Sequence, residues 1–79
     1  MEIQRGGIYQ HFKDFTAKND KKYEVIGIAN HSEHEGEQLV IYRAFYGEKK
    51  LWVRPVEMFL QEVDRPELGY KGPRFVLAS

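Results

Sequence analysis

Apolar residues in this chain recur in short alternating runs, not along one long helical face. Val, Ile, Tyr and Phe fill the runs, while Gly, Asn and charged clusters separate them, which favours strands. The pattern predicts strands over residues 7–13, 23–30, 38–46, 51–54 and 74–77. Polar loops are expected over 14–22, with Asn19-Asp20 as the turn, and over 31–37 around Gly36. Gly47-Glu48-Lys49-Lys50 reads as a tight connection between the third and fourth strands. The period then changes. Pro55 suits the first turn of a helix, and Val56, Phe59, Leu60 and Val63 fall at i, i+3, i+4 and i+7. A helix this short is not stable alone, so it reads as a turn or two plugging the sheet. Residues 64–73 are rich in turn formers and lead into the last strand.

The fold class that follows is mainly β. About five antiparallel strands and one short helical turn form a strongly bent sheet or partly open barrel, with residues 1–79 as a single domain. The second strand sets Tyr23, Val25, Gly27 and Ala29 on one face, and Glu24, Ile26, Ile28 and Asn30 on the other. Both faces are partly apolar, so closure of the sheet or a partner chain is needed to cover the second. Gly27 in mid-strand is placed where a small barrel must bend.

A resemblance is carried by several segments in order. They are Gly7-Ile-Tyr-Gln-His-Phe-Lys13, Tyr23-Glu-Val25, His31-Ser-Glu33, Val40-Ile-Tyr-Arg43, Tyr46-Gly47 and Leu51-Trp-Val-Arg-Pro-Val-Glu-Met-Phe59. The chain resembles an uncharacterised bacterial family, number sixteen fifty-three in the domain-of-unknown-function series. The likeness runs over roughly residues 6–63 and extends to Pro73-Arg-Phe75; Leu-Trp-Val-Arg-Pro followed by Met-Phe is its most specific part. It implies an SH3-like barrel or roll and no established activity. The chain departs from the family pattern between Lys13 and Tyr23, where the family has a shorter turn, and again over residues 64–72.

Charge narrows the function classes. Twelve Lys and Arg balance twelve Asp and Glu. A zero total weighs against a module held to a long polyanion by phosphate contacts alone, and against a polybasic membrane segment. It also removes a barrier to self-association. The zero is uneven along the chain: residues 1–22 carry +2, 23–48 carry −4, 49–56 carry +3 and 57–79 carry −1. The absence of cysteine excludes disulfides, thiolate zinc sites and Cys nucleophiles. No apolar run approaches the length of a membrane span and the N-terminal residues lack an apolar signal region, so a cytoplasmic location without membrane contact is expected.

The third and fourth strands offer the sharpest site argument. A four-residue loop or a two-residue turn pairs Tyr46 with Leu51 and Ala44 with Val53 on one face. The other face then opposes Phe45 to Trp52 and Arg43 to Arg54. Facing arginines repel unless an anion or a carboxylate lies between them. Aromatics beside guanidiniums suit a flat or anionic ligand, by stacking and bidentate hydrogen bonding. The competing reading is that Glu24, Glu57 or Glu62 neutralises the arginines and Trp52 caps the core. A one-residue shift of the turn would undo the assignment.

The histidines raise the metal question. His31 and His34 stand in one loop, with His11 or Glu37 available to complete a set, yet no spacing matches a helix-borne zinc motif. Because the family likeness covers His31 and Glu33, a set of His11, His31 and Glu33 is the reading for a metal or acid–base centre. The bland alternative is a solvated acidic loop. Adjacent Ser32, His31 and Glu33 cannot converge as a catalytic triad. His11 near Tyr9 reads either as a general base or as a packed histidine. Tyr9, Tyr42, Tyr46, Phe45 and Trp52 are candidates for an aromatic cage, or for core.

Three functions follow. The first is a cofactor-free, non-catalytic binding module using Arg43, Phe45, Trp52 and Arg54, with Tyr9 and His11 at the edge, for a peptide, a nucleotide or single-stranded nucleic acid. The second is a small enzyme or metal domain using His11, His31 and Glu33. The third is a homo-oligomerisation module, a homodimer formed through an open strand edge or the Ile26/Ile28 face.

Overall fold

The structure is a computed structural model that describes residues 3–78. The chain runs β1 (Ile8–His11), α1 (Phe12–Ala17), β2 (Tyr23–Asn30), β3 (Gln38–Ala44), β4 (Leu51–Pro55), α2 (Val56–Phe59), β5 (Glu62–Arg65), a 3-10 turn (Pro66–Leu68), β6 (Tyr70–Pro73) and β7 (Phe75–Leu77). Five strands form one sheet in the order β4-β3-β2-β1-β7, and β5 and β6 form a separate two-stranded sheet. Every pairing is antiparallel. The fold is mainly β, as the alternation predicts. Among the described residues no helix is long and apolar enough to cross a membrane.

β2 and the loop to β3 fall where the pattern puts them. The first strand ends earlier. After His11 the chain turns into α1, because the His11 side chain caps it by accepting the Lys13 N–H at 3.2 Å. The loop expected over 14–22 therefore begins as a helix, closed by Lys18 in the left-handed region at φ 59. Phe12 is fully buried and stacks on Tyr70 with ring centroids 5.6 Å apart. That contact holds α1 against the β5–β6 hairpin. The hairpin corrects the turn-rich expectation for residues 64–73; among its strand residues the sequence offers only Val63 and Tyr70 as an apolar signal. The helical segment after Pro55 ends at Phe59 instead of continuing to Val63, which pairs with Gly72 in the hairpin.

Gly27 sits at an irregularity. The β2–β3 register shifts between Val25 and Gly27, leaving Ile26 as an extra residue. The bend expected at Gly27 is a β-bulge. One inserted residue flips the faces beyond it. Tyr23 and Val25 therefore share a face with Ile28 and Asn30, and Glu24 shares the other with Gly27 and Ala29, as their partners on β3 require. The inner face packs Tyr9, Val25, Val40, Tyr42, Phe59 and Phe75 into one core. α2 supplies Phe59, which stacks on Phe75 at 4.3 Å with nearly parallel rings.

Candidate functional site

The register of β3 and β4 decides which side chains meet. Ala44 ends β3, and the Phe45 N–H turns away to donate to the Lys22 carbonyl at 3.0 Å. The connection is thus six residues long, with Gly47 and Lys49 both at positive φ. Tyr42 pairs with Trp52, Val40 with Arg54, Ile41 with Val53 and Arg43 with Leu51. This corrects the expected pairing by an odd number of positions, so β4 presents its other face. Arg43 and Arg54 do not oppose one another; they lie on opposite faces of the sheet. Phe45 lies in the connection and is exposed, no longer facing Trp52 across a ladder.

The inner-face residues of β4 come together with aromatic side chains from the neighbouring strands. Tyr23, Tyr42, Trp52 and Arg54 line a cavity of about 190 Å³. Tyr23 and Tyr42 meet edge to face at 5.5 Å, and Trp52 is 49% exposed at the mouth. The Arg54 guanidinium lies over the Phe75 ring, 5.3 Å from its centroid. The Tyr23 hydroxyl hydrogen-bonds the Tyr46 hydroxyl, which fixes the far wall. Burial, and then that hydrogen bond, push the Tyr23 phenol well above its usual value. The wall is therefore neutral over the physiological range.

Positive charge gathers on the Phe75 side. His11 packs edge to face on Phe75 at 5.2 Å. Burial, and then the Arg54 guanidinium, hold its imidazole well below the usual 6.5, down to about 4, with Arg74 acting in the same direction. Arg74 donates to Gln61 Oε1 at 2.9 Å, while its Nε is buried without a hydrogen-bond partner. Among the described residues the ion pairs are Lys50–Glu48 and Arg65–Glu67. Glu24, Glu57 and Glu62 thus form no ion pair with Arg54 or Arg43. A cation that lacks a carboxylate and stands beside the half-exposed Trp52 ring can bind an anion while that ring stacks on a planar group.

Of the residues singled out by sequence, Trp52, Arg54, His11 and, from the aromatic-cage set, Tyr42 gather around this face. Tyr9 does not, because it is buried in the core, where its hydroxyl accepts the Gln4 N–H at 3.0 Å. Tyr23, Phe75 and Arg74 are additions. Sequence alternation places Tyr23 on a strand, but only the pairing of Tyr23 with Ala44 and of Tyr42 with Trp52 brings the rings to one cavity.

The metal-holding geometry lies elsewhere, in the β2–β3 loop. His31, His34 and Glu37 place ligand atoms within 4.8 Å of one another among the described residues. The two imidazoles meet edge to face at 4.3 Å. His11 packs instead on Phe12 and Phe75, and Glu33 gives His31 its backbone N–H, at 3.0 Å from Nδ1. That bond uses Nδ1 as an acceptor and leaves the neutral-ring proton on Nε2, the reverse of what a metal at Nε2 requires. The set is a loop clamp first. Beside it, His34, Glu37, Pro55, Val56 and Glu57 line a wider cavity of about 520 Å³ with acidic walls.

The comparisons agree with this architecture. The family model described as a protein of unknown function, DUF1653, matches residues 7–77, and the chain belongs to that family. A crystal structure of a DUF1653 protein from Bordetella bronchiseptica superposes with a TM-score of 0.72 at 25% sequence identity, covering 95% of this chain and 87% of that one. No curated protein matches the chain.

Proposed function

We propose that this chain is a non-catalytic binding module, an SH3-like roll whose inner face takes a nucleotide. The observation that carries the reading is the cavity lined by Tyr23, Tyr42, Trp52 and Arg54, with Arg54 free of any carboxylate among the described residues. The half-exposed Trp52 ring offers stacking surface to a base, worth about 1–3 kcal/mol per stacked base where such platforms are known. Arg54 offers a fork to phosphate oxygens. His11 is kept neutral first by burial and then by the Arg54 guanidinium, and so adds no second charge.

The balance of charge supports a compact ligand over a long duplex. A duplex is gripped mainly by many phosphate contacts, which need a basic surplus that this chain lacks. A mononucleotide or a short single strand needs one guanidinium and one or two rings.

Calorimetric titration with a nucleoside monophosphate, a short single-stranded oligonucleotide and a duplex tests the reading. It predicts saturable binding of the monophosphate or the single strand, weakened at least tenfold by Arg54→Ala and unchanged by Arg43→Ala on the opposite face. Equal weakening by both substitutions, or no binding of either ligand, removes it.

A further inference from the structure

The free edge of β4 has a feature the ligand cavity does not use. β4 is the outermost strand of the five-stranded sheet. The Ala44 N–H donates to the Lys50 carbonyl at 3.1 Å. Antiparallel ladders alternate between hydrogen-bonded and non-hydrogen-bonded pairs. Tyr42–Trp52 and Val40–Arg54 are therefore the bonded pairs that continue this ladder. The backbone N–H and C=O groups of Leu51 and Val53, and the Pro55 carbonyl, point to the open edge. The Leu51 and Val53 side chains stand on the outer face, 55% and 61% exposed. Unpaired edge groups beside exposed apolar side chains form a template for another strand.

We infer that β4 pairs with β4 of a second copy of this chain, antiparallel about a two-fold axis at Val53. The sequence around the edge is self-complementary in that register. Val53 meets its own copy and exchanges two backbone hydrogen bonds. The Leu51 N–H donates to the partner's Pro55 carbonyl, and because proline has no N–H the Leu51 carbonyl stays with solvent. Trp52 comes opposite the partner's Arg54, a favourable cation–ring pairing. The neighbouring register, centred on Trp52, would set Arg54 against the partner's Lys50, and like charges directly opposed are unfavourable. Pro55 closes one end of the pairing, and Lys49 with Lys50 closes the other. The contact is isologous and finite, so it ends at a dimer and not a fibre. The zero net charge leaves little long-range repulsion to oppose it.

The contact shares Trp52 and Arg54 with the ligand cavity, while Val53 and Leu51 stand on the other face of β4, so substitutions at Val53 and Leu51 test the pairing without touching the cavity lining. The test is sedimentation equilibrium of the full chain from about 1 µM to about 1 mM, a span that covers the affinities of weak to moderate dimers. The apparent mass is expected to rise from 9.3 kDa toward twice that value. Val53→Lys and Leu51→Lys should each hold the chain at the monomer mass while its far-UV circular dichroism stays unchanged. The chain has no cysteine, so Val53→Cys adds a single thiol at the axis, and mild oxidation should link two copies, whereas Leu77→Cys should not. A monomer at every concentration overturns the inference. So does a dimer that survives both lysine substitutions, or growth beyond the dimer.

Discussion

Arg54 of β4 lies over the ring of Phe75 of β7, its guanidinium carbon 5.3 Å from the ring centroid, although β4 and β7 are the two outer strands of the sheet. The sheet is curled enough for its two edges to share one aromatic side chain. Phe75 is buried and half-sandwiched against Phe59, so the ring is structural, while Arg54 reaches it from the open side. Phe75→Ala should lower stability by about 3–5 kcal/mol, the usual cost of removing a buried ring. Arg54→Ala should cost about 0.5–1 kcal/mol, the scale of an exposed cation–ring contact. Urea unfolding of both variants measures the difference. Equal losses would make Arg54 a structural residue with no freedom to hold a ligand.

His11 sets a pH dependence with a definite sign. Its pKa is about 4 in the folded chain against 6.5 when unperturbed. Between those values the unfolded chain binds a proton that the folded chain refuses, so stability falls as pH drops from about 6.5 to about 4. The fall has a structural cause besides burial: Nδ1 accepts the Lys13 N–H at the start of α1, and a protonated ring cannot. Thermal unfolding from pH 8 to pH 4 should show the decline, and His11→Asn, which retains an acceptor for the cap, should flatten it. A curve for His11→Asn that parallels the parent would assign the decline to other groups.

Two lysines hold backbone conformations better suited to glycine. Lys18 closes α1 at φ 59, and Lys49 lies in the β3–β4 connection at φ 55. Relief of the left-handed cost should make Lys18→Gly and Lys49→Gly each more stable by about 0.5–1 kcal/mol. Gly47→Ala, at φ 60 in the same connection, should lose about 1 kcal/mol. Chemical denaturation of the three variants checks the signs.

The Tyr23–Tyr46 hydroxyl pair ties β2 to the β3–β4 connection. Tyr46→Phe should cost about 1 kcal/mol, the net worth of a hydrogen bond. It should also bring the Tyr23 phenol down toward its usual value. Ultraviolet titration at alkaline pH should show one tyrosine ionising earlier in Tyr46→Phe than in the parent. The raised phenol also means that stability declines as pH rises past about 10, where the unfolded phenol ionises.

The sequence carried the strands wherever alternation and punctuation agreed. β2 and its loop to β3 are legible because Tyr23 to Asn30 is bounded by polar residues and Gly36. The bulge is legible at Gly27, but which way it turned the strand is not, because one extra residue leaves composition unchanged and reverses every face beyond it. The β3–β4 register was lost in the same way. Phe45 and Tyr46 continue the alternation, yet the Phe45 N–H bonds Lys22 across the sheet, and no local pattern reports that long-range partner. α1 is hidden because Ile8, Tyr9 and Phe12 read as one strand-like apolar run through a cap made by a histidine. Trp52 and Arg54 were visible as chemistry, while their neighbours Tyr23 and Phe75 became visible only once the sheet curled.

Trp52 is the chain's one tryptophan and stands half-exposed at the mouth of the cavity, so its fluorescence reports directly on the inner face. Titration with a nucleoside monophosphate, with inorganic phosphate as the control, is the most direct measurement of the central claim. Saturable quenching by the nucleotide, absent with phosphate alone and abolished by Arg54→Ala, is the predicted result. Emission that stays constant through millimolar nucleotide, or quenching that Arg54→Ala leaves intact, would contradict it.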